Sequence, residues 1–423
     1  MRTVHLRESS WTEVHLTTSE VDRLSAAGKA LALQSSAQDA LGDELLEPDR
    51  SLIRLRKAPA RESWQVYVAD AIGAVGLGET QLVVSPKIPM DHFCHLALAS
   101  VVDMRSGLGT AQLTTDPSDS FQLVVARWYL QALEGCLRGA AFHDYEDHEA
   151  SLATPRGRLD ALATVDSWSR GKLHFDCAFS DFTADNGVNR VLVQAARAIT
   201  RSTIDQALRR RAALALDRFP EMSPFRQADM GSRLDRSTKY EGAFRLALLV
   251  LSGFGATLST GSQEVGTFLL RTPSLVESGL RRMLATGLAD MAKVSMARKV
   301  LAPIGLSMNP DLLFQDRSSE RPSFVVNGGL VTGDIKYQVT NRDWKRSHLY
   351  QAIAFASAFE AASGMILAFT TDAYSPAQKV IVGRRPYWLI TWSVSEESTP
   401  WESEQRAVDE CRVILKDVLT KVA

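Results

Sequence analysis

Apolar and polar residues alternate in short runs near the start of the chain. VHLRESSWTEVHL, SLIRLRKA, SWQVYVADAIGAVGLG and TQLVVSPKI, all within residues 4–88, are separated by Gly, Pro and charge. A period of two sends successive side chains to opposite faces of a strand, so these runs predict a small β-rich domain over residues 1–90. One helical piece, 19–33, interrupts them, with Ser19 as its N-cap and Leu24, Leu31 and Leu33 as apolar positions. The polar, acidic stretch 34–50 reads as a loop.

The period then lengthens. DHFCHLALASVVDM, SFQLVVARWYLQALEGCLRGA, NRVLVQAARAITRSTIDQALRRRAALALDRF and KYEGAFRLALLVLSGFG repeat apolar residues every three or four positions, which predicts a largely helical region over 91–262. Two β-like stretches, SLATPRGRLDALATV and KLHFDCAFSDFT, interrupt it as strands. His143-Asp144-Tyr145-Glu146-Asp147-His148 reads as a polar turn, because histidines five apart do not share a helix face. Arg209, Arg210 and Arg211 read as a solvated helix face that is also able to touch phosphate.

From 263 to 423 helices and strands mix. Helices are expected over 274–299, 346–362 and 402–422, and strands over 311–314, 323–326, 330–337, 365–370 and 387–393. Asn327-Gly328-Gly329 has the chemistry of a hairpin turn. The fold class that results is α+β and multidomain: a β-rich N-terminal domain, a helical middle region and a C-terminal α/β domain.

Composition narrows the function. With 48 Lys and Arg against 49 Asp and Glu, the net charge of -1 gives no general pull on nucleic acid, so DNA contact requires local patches or a partner. Cys94, Cys136, Cys177 and Cys411 stand too far apart for zinc or redox motifs and read as reduced, buried thiols. The first residues, MRTVHLRESSWTEVHL, hold no apolar core of a signal peptide, and the longest apolar run, 246–251, is far short of a membrane span. A cytoplasmic protein is expected. No GxxxxGK[ST] occurs, so no nucleotide site is expected in this chain. Arg54, Arg56 and Lys57 fit either a projecting basic hairpin or a charged strand edge. Most tryptophans, Trp64, Trp128, Trp168, Trp344, Trp388 and Trp392, sit among apolar neighbours and read as core or interface.

The chemistry concentrates in LVTGDIKY. On a strand Asp334 and Lys336 lie on one face and Ile335 on the other, which suits either a surface ion pair or a metal-dependent phosphodiesterase site. Hydrolysis of a phosphodiester with Mg²⁺ calls for carboxylate ligands, a positioned water and a cation against developing charge. Asn309-Pro310-Asp311 opens the preceding strand, and an antiparallel hairpin brings Asp311 towards Asp334. Glu277 adds a carboxylate from the helix before, and Gln351 lies early in the helix after. A second DxK, Asp343-Trp344-Lys345, follows a polar loop and lacks strand context.

The order Glu, PD, DxK and helix Gln resembles the PD-(D/E)xK nuclease superfamily. TQLVVSPKI, LATPRGRLD, FSDFTADNGVNRVL and FLLRTPSLVE, in that order before the PD and DxK elements, resemble the McrC family, the nuclease subunit of modified-cytosine restriction systems. That resemblance implies that Asp311 and Asp334 bind Mg²⁺ with Glu277 as an accessory acid and metal ligand. Lys336 then orients or activates the attacking water, and Gln351 supports the site. It also implies an McrB-like AAA+ GTPase hexamer as partner, carrying the GTP and engaged through residues 1–90, and double-stranded, modified DNA as substrate. The family commonly continues DAKYK where this chain has DIKYQ, with Gln338 at the second lysine. Two alternatives stay open: a decayed nuclease fold that only activates the GTPase, and a stand-alone nuclease of repair or another defence pathway.

Overall fold

The computed structural model describes residues 2–39, 52–59, 63–101, 120–202, 205–232, 234, 239–254, 267–303, 305–316, 330–340 and 343–419. Its contacts divide the chain into two compact units, one made of Met1–Phe121 with Ala256–Ala423 and the other of Gln122–Gly255. The boundaries expected at 90/91 and 262/263 are drawn along the sequence, whereas this division follows contacts between distant segments, of which local periodicity carries no signal.

The first unit opens with β1 (Arg2–Arg7), β2 (Trp11–His15), α1 (Thr18–Asp39), β3 (Ile53–Lys57), β4 (Ser63–Val68), β5 (Ala71–Gly76), β6 (Thr80–Ser85) and α2 (Met90–Val101). Thr17, rather than Ser19, caps α1: its Oγ1 accepts from Glu20 N at 3.3 Å while Glu20 Oε2 accepts from Thr17 N at 2.9 Å, a reciprocal capping box. Because α1 runs on to Asp39, residues 34–39 are helical rather than loop. Strands β2, β4 and β3 form one antiparallel sheet with β3 at an edge. There Arg56 lies 4.3 Å over the Trp11 ring and Arg54 5.5 Å over Tyr67, so the basic edge is stacked on aromatics.

The second unit holds α3 (Phe121–Cys136), β7 (Asp144–Leu152), β8 (Arg158–Leu159), α4 (Ala161–Ser169), β9 (Phe175–Thr183), α5 (Gly187–Ser202), α6 (Gln206–Leu216) and α7 (Glu241–Phe254). Of the expected polar turn at 143–148, residues 144–148 are instead part of β7, which pairs with β9 along its whole length. ALATV is helical rather than extended, because Asp160 accepts from Ala163 N at 3.0 Å and starts α4. Trp128 is buried, whereas Trp168 is 45% exposed, so of the two readings, core or interface, the core one does not hold for it. Arg211 pairs with Glu134 through two bonds of 2.8 and 3.0 Å, so the arginine run is partly committed within the unit. Buried Arg190 gathers Glu146, Asp185 and Asp229 around one guanidinium.

The first unit resumes with β10 (Phe268–Arg271), α8 (Thr272–Gly287), β11 (Ala292–Ser295), β12 (Lys299–Leu301), β13 (Leu306–Met308), β14 (Leu312–Asp316), β15 (Leu330–Val339), α9 (Arg346–Ala358), β16 (Ser363–Thr370), β17 (Gln378–Val382), β18 (Arg385–Ser393) and α10 (Pro400–Leu419). Strand β10 completes the N-terminal sheet β1-β6-β5-β10, and its Leu269 lies in the same core as Leu6, Leu82 and Val84. The long helix expected over 274–299 ends at Gly287; MAKVS turns extended because β11 pairs with β14. Strands 11, 14, 15, 16, 18 and 17 form a mixed six-stranded sheet in that order. Its central strand β16 is buried at every position, as a strand flanked by parallel neighbours and covered on both faces must be. On one face Ala352 and Ala356 of α9 pack against Ile366 and Ala368. The expected strand 323–326 and the turn 327–329 lie outside the described residues.

Among the described residues all four cysteines are free and buried, as expected. No described helix is long and apolar enough to cross a membrane.

Candidate active site

Strands β14 and β15 run antiparallel with Leu312 opposite Gly333, so one step further along the register Asp311 faces Asp334. Asp311 is held there by its own strand partner: its Oδ2 accepts from Ile335 N at 2.8 Å. Asp334 and Lys336 share a face of β15 as the period of two demands, and Lys336 Nζ stands 2.6 Å from Asp334 Oδ2. Ile335, between them, is buried on the opposite face. The pair is no surface ion pair: Asp334 is only 4% exposed. Its Oδ2, though paired in charge with Lys336, accepts no hydrogen bond of good geometry.

Helix α9 closes over the same face. Gln351 Nε2 donates to Asp334 Oδ1 at 3.4 Å, which places the predicted glutamine at the site. From α8, Glu277 lies near enough for Asp311, Arg281, Asp334 and Lys336 all to act on its charge. Burial, then the Asp311 charge, pushes Glu277 up to about 8. Asp311 rises to about 7, first by burial and then by the neighbouring Asp334 carboxylate, despite the Ile335 N–H that favours its ionised form. The five residues expected from sequence therefore converge.

Two further side chains belong to the site and were not foreseen. Arg281, one turn beyond Glu277, donates from Nε to the Asp311 carbonyl at 3.0 Å, so it fixes the backbone that carries a candidate ligand. His348 is buried on α9 three residues before Gln351, and its imidazole is held below its usual range first by burial and then by Lys336 and Lys345. The i+4 step from Glu277 and the i−3 step from Gln351 were the available signals, since such steps share a helix face. Lys345 of the second DxK is the N-cap residue of α9 and reaches Gln338 Oε1 at 3.3 Å. No strand contains that copy.

Whether these residues suit a divalent cation turns on donor chemistry. Asp311 and Asp334 bring hard oxygen donors together, and their mutual repulsion, written in the raised Asp311, is what a cation between them relieves. Buried Asp334 Oδ2 faces the Lys336 ammonium but accepts no hydrogen bond of good geometry, so it keeps lone pairs that a cation can use. Among the described residues no group of three His, Cys, Asp or Glu side chains is gathered at metal-binding distance, so Glu277 stands as a neighbour rather than a formed ligand. The donor set fits a Mg²⁺-type ion better than Zn²⁺, which favours nitrogen and sulfur.

The sequence pattern of the family described as "McrBC 5-methylcytosine restriction system component" matches residues 66–370. No curated protein matches the chain. Among solved structures, the fold is similar to a half-complex from a tetradecameric assembly of Thermococcus gammatolerans McrB AAA+ hexamers with bound McrC. That likeness has a TM-score of 0.58 at 15% identity and covers 97% of this chain and 100% of that one. The cryo-EM structure of the Thermococcus gammatolerans McrBC complex matches at a TM-score of 0.41 and 16% identity, over 68% of this chain and 88% of that one. With the family pattern spanning both strands that carry Asp311 and Asp334, the chain belongs to the McrBC 5-methylcytosine restriction system component family.

Proposed function

We propose that this chain is the Mg²⁺-dependent DNA-cleaving subunit of an McrBC-type restriction system, with a PD-(D/E)xK site. The observation that carries the reading is the convergence of Asp311, Asp334, Lys336, Glu277 and Gln351 from four separate segments of a family member, the lead-in to β14, β15, α8 and α9. The partner is an McrB-like AAA+ GTPase hexamer that carries the GTP and whose hydrolysis this chain stimulates. The substrate is double-stranded DNA modified at cytosine, and the system works in the cytoplasm.

Each side chain has a task. Asp311 and Asp334 would hold the metal, with Glu277 as the accessory acid; a bound ion would supply Lewis acidity for phosphodiester hydrolysis. Lys336 presents an ammonium beside Asp334, where it orients the attacking water and offsets charge on the phosphate. Gln351 fixes the Asp334 carboxylate by its amide, and the Ile335 N–H fixes Asp311. Arg281 steadies the Asp311 backbone.

Matched methylated and unmethylated plasmids test the reading. They are incubated with Mg²⁺ and the chain alone, then with its GTPase partner and GTP, with Asp334→Ala as the control. Cleavage of the modified plasmid only in the complete mixture, lost in the variant, is expected. A wild-type chain that never cuts but accelerates GTP hydrolysis would make the protein an activator with a nuclease fold.

A further inference from the structure

Besides the carboxylates of the candidate site, the described residues of the first unit bury Glu20, of the α1 capping box, and, more deeply, Glu8. Glu8, the residue after β1, is 2% exposed and lies at a meeting point of four segments. Its Oε1 accepts from the hydroxyl of Thr272, the first residue of α8. Its Oε2 accepts from the Tyr337 hydroxyl on β15 at 3.2 Å and from Lys87 N at 3.3 Å. Lys87 Nζ lies 3.8 Å from Oε1, 3.1 Å from Asp70 Oδ1 and 4.2 Å above the Tyr337 ring. Asp70 in turn accepts from Thr272 N through its carbonyl at 3.1 Å.

The two hydroxyls that Glu8 joins sit at telling places. Tyr337 follows Lys336 directly and lies three residues from Asp334; Thr272 begins the helix that carries Glu277 five residues later. A carboxylate gripping both is a cross-brace between the two elements whose separation sets how far Glu277 stands from Asp334. Neither hydroxyl has a solvent alternative, since Thr272 is 0% and Tyr337 6% exposed. A buried polar cluster with every member bonded fixes one arrangement of its elements, because any shift strands a group without water.

We propose that Glu8 is a positioning residue for the nuclease site: by bridging Thr272 and Tyr337 it holds α8 against β15 and so keeps Glu277 beside the Asp311–Asp334 pair at which a divalent cation would bind. The inference rests on the nuclease reading above for the identity of the ion's ligands. It also means that the end of the N-terminal sheet, through Glu8 and Lys87, is mechanically joined to the site.

Near-isosteric variants that delete one hydroxyl each, Thr272→Val and Tyr337→Phe, and their combination test this in the full chain. Mn²⁺ binding is measured by calorimetry. Spin labels at Ser274→Cys and Gln338→Cys report the distance from α8 to β15; both positions are exposed and the native cysteines are buried. The double variant is expected to bind Mn²⁺ roughly tenfold more weakly, the scale of lost outer support for metal ligands. Its label distance should broaden, and Glu8→Gln, which keeps a hydrogen-bonding bridge, should recover most of the affinity that Glu8→Ala loses. An unchanged label distance overturns the proposal, as does a broadened distance with unchanged Mn²⁺ affinity. Should the wild-type chain bind no Mn²⁺ at all, the nuclease reading falls and the label distance alone decides the brace.

Discussion

Asp334 meets Lys336, Gln351 and the opposing Asp311 at once, so its substitution separates chemistry from folding. Asp334→Asn keeps the size and the bond from Gln351; we expect no cleavage above background by gel assay, with an unchanged far-ultraviolet circular dichroism spectrum. Lys336→Met removes only the ammonium and is expected to lower kcat on the order of 10²–10³-fold, the usual loss when one charge-stabilising donor goes. The raised carboxylates make a prediction about pH. Their folded-state values, about 8 for Glu277 and about 7 for Asp311, lie above the ordinary carboxylate range, so the folded protein holds protons that the unfolded chain releases. Their contribution to stability is therefore full below about pH 4 and is lost as pH rises through 7 and 8. The thermal midpoint of metal-free protein should fall across that window. Mg²⁺, by binding the ionised forms, should flatten the decline.

At the scale of elements, two glycines decide how closely the site's supports approach. A Cβ at Gly333 would lie 3.0 Å from Leu312 Cβ and 3.3 Å from Phe314 Cε2, so an alanine there wedges β14 from β15 and moves Asp311 off Asp334. Gly279 on α8 is tighter still: its Cβ would fall 2.2 Å from the Leu96 carbonyl oxygen of α2, a backbone atom that no rotamer change can move. Urea unfolding should show Gly333→Ala costing about 1–3 kcal/mol, as overpacking does, and Gly279→Ala costing more. Cleavage by the first should fall further than its stability loss explains, because the register across Leu312 and Gly333 is what aims the two aspartates. Alternation along LVTGDIKY announced which face of β15 is chemical, but nothing local announced that β11 would leave the preceding helix pattern to pair with β14.

For the molecule as a whole, a net charge of -1 leaves phosphate contact to local cations such as Lys336. Fluorescence anisotropy at physiological salt should accordingly give the isolated chain a weak, salt-sensitive DNA affinity, no tighter than roughly 10⁻⁶ M, the range of non-specific binding. Addition of the GTPase partner should tighten it. Part of the site was already legible: the shared strand face of Asp334 and Lys336 follows from short-range periodicity, while the Pro-Asp before it and the helix glutamine after it are singled out by resemblance to the PD-(D/E)xK order. Arg281 and His348 were one helical step from predicted residues, yet their roles depend on packing across elements. The same holds for β10, which leaves the C-terminal segment to complete the N-terminal sheet, and for Glu8, whose partners lie 264 and 329 residues away. Sequence by itself determined the local repeats, the turn and cap chemistry and the motif; the tertiary structure alone decided the division into units and the residues that brace the site. The physical reason is that side-chain direction is set within a few residues, whereas burial and strand pairing are settled only when distant segments compete for the same core.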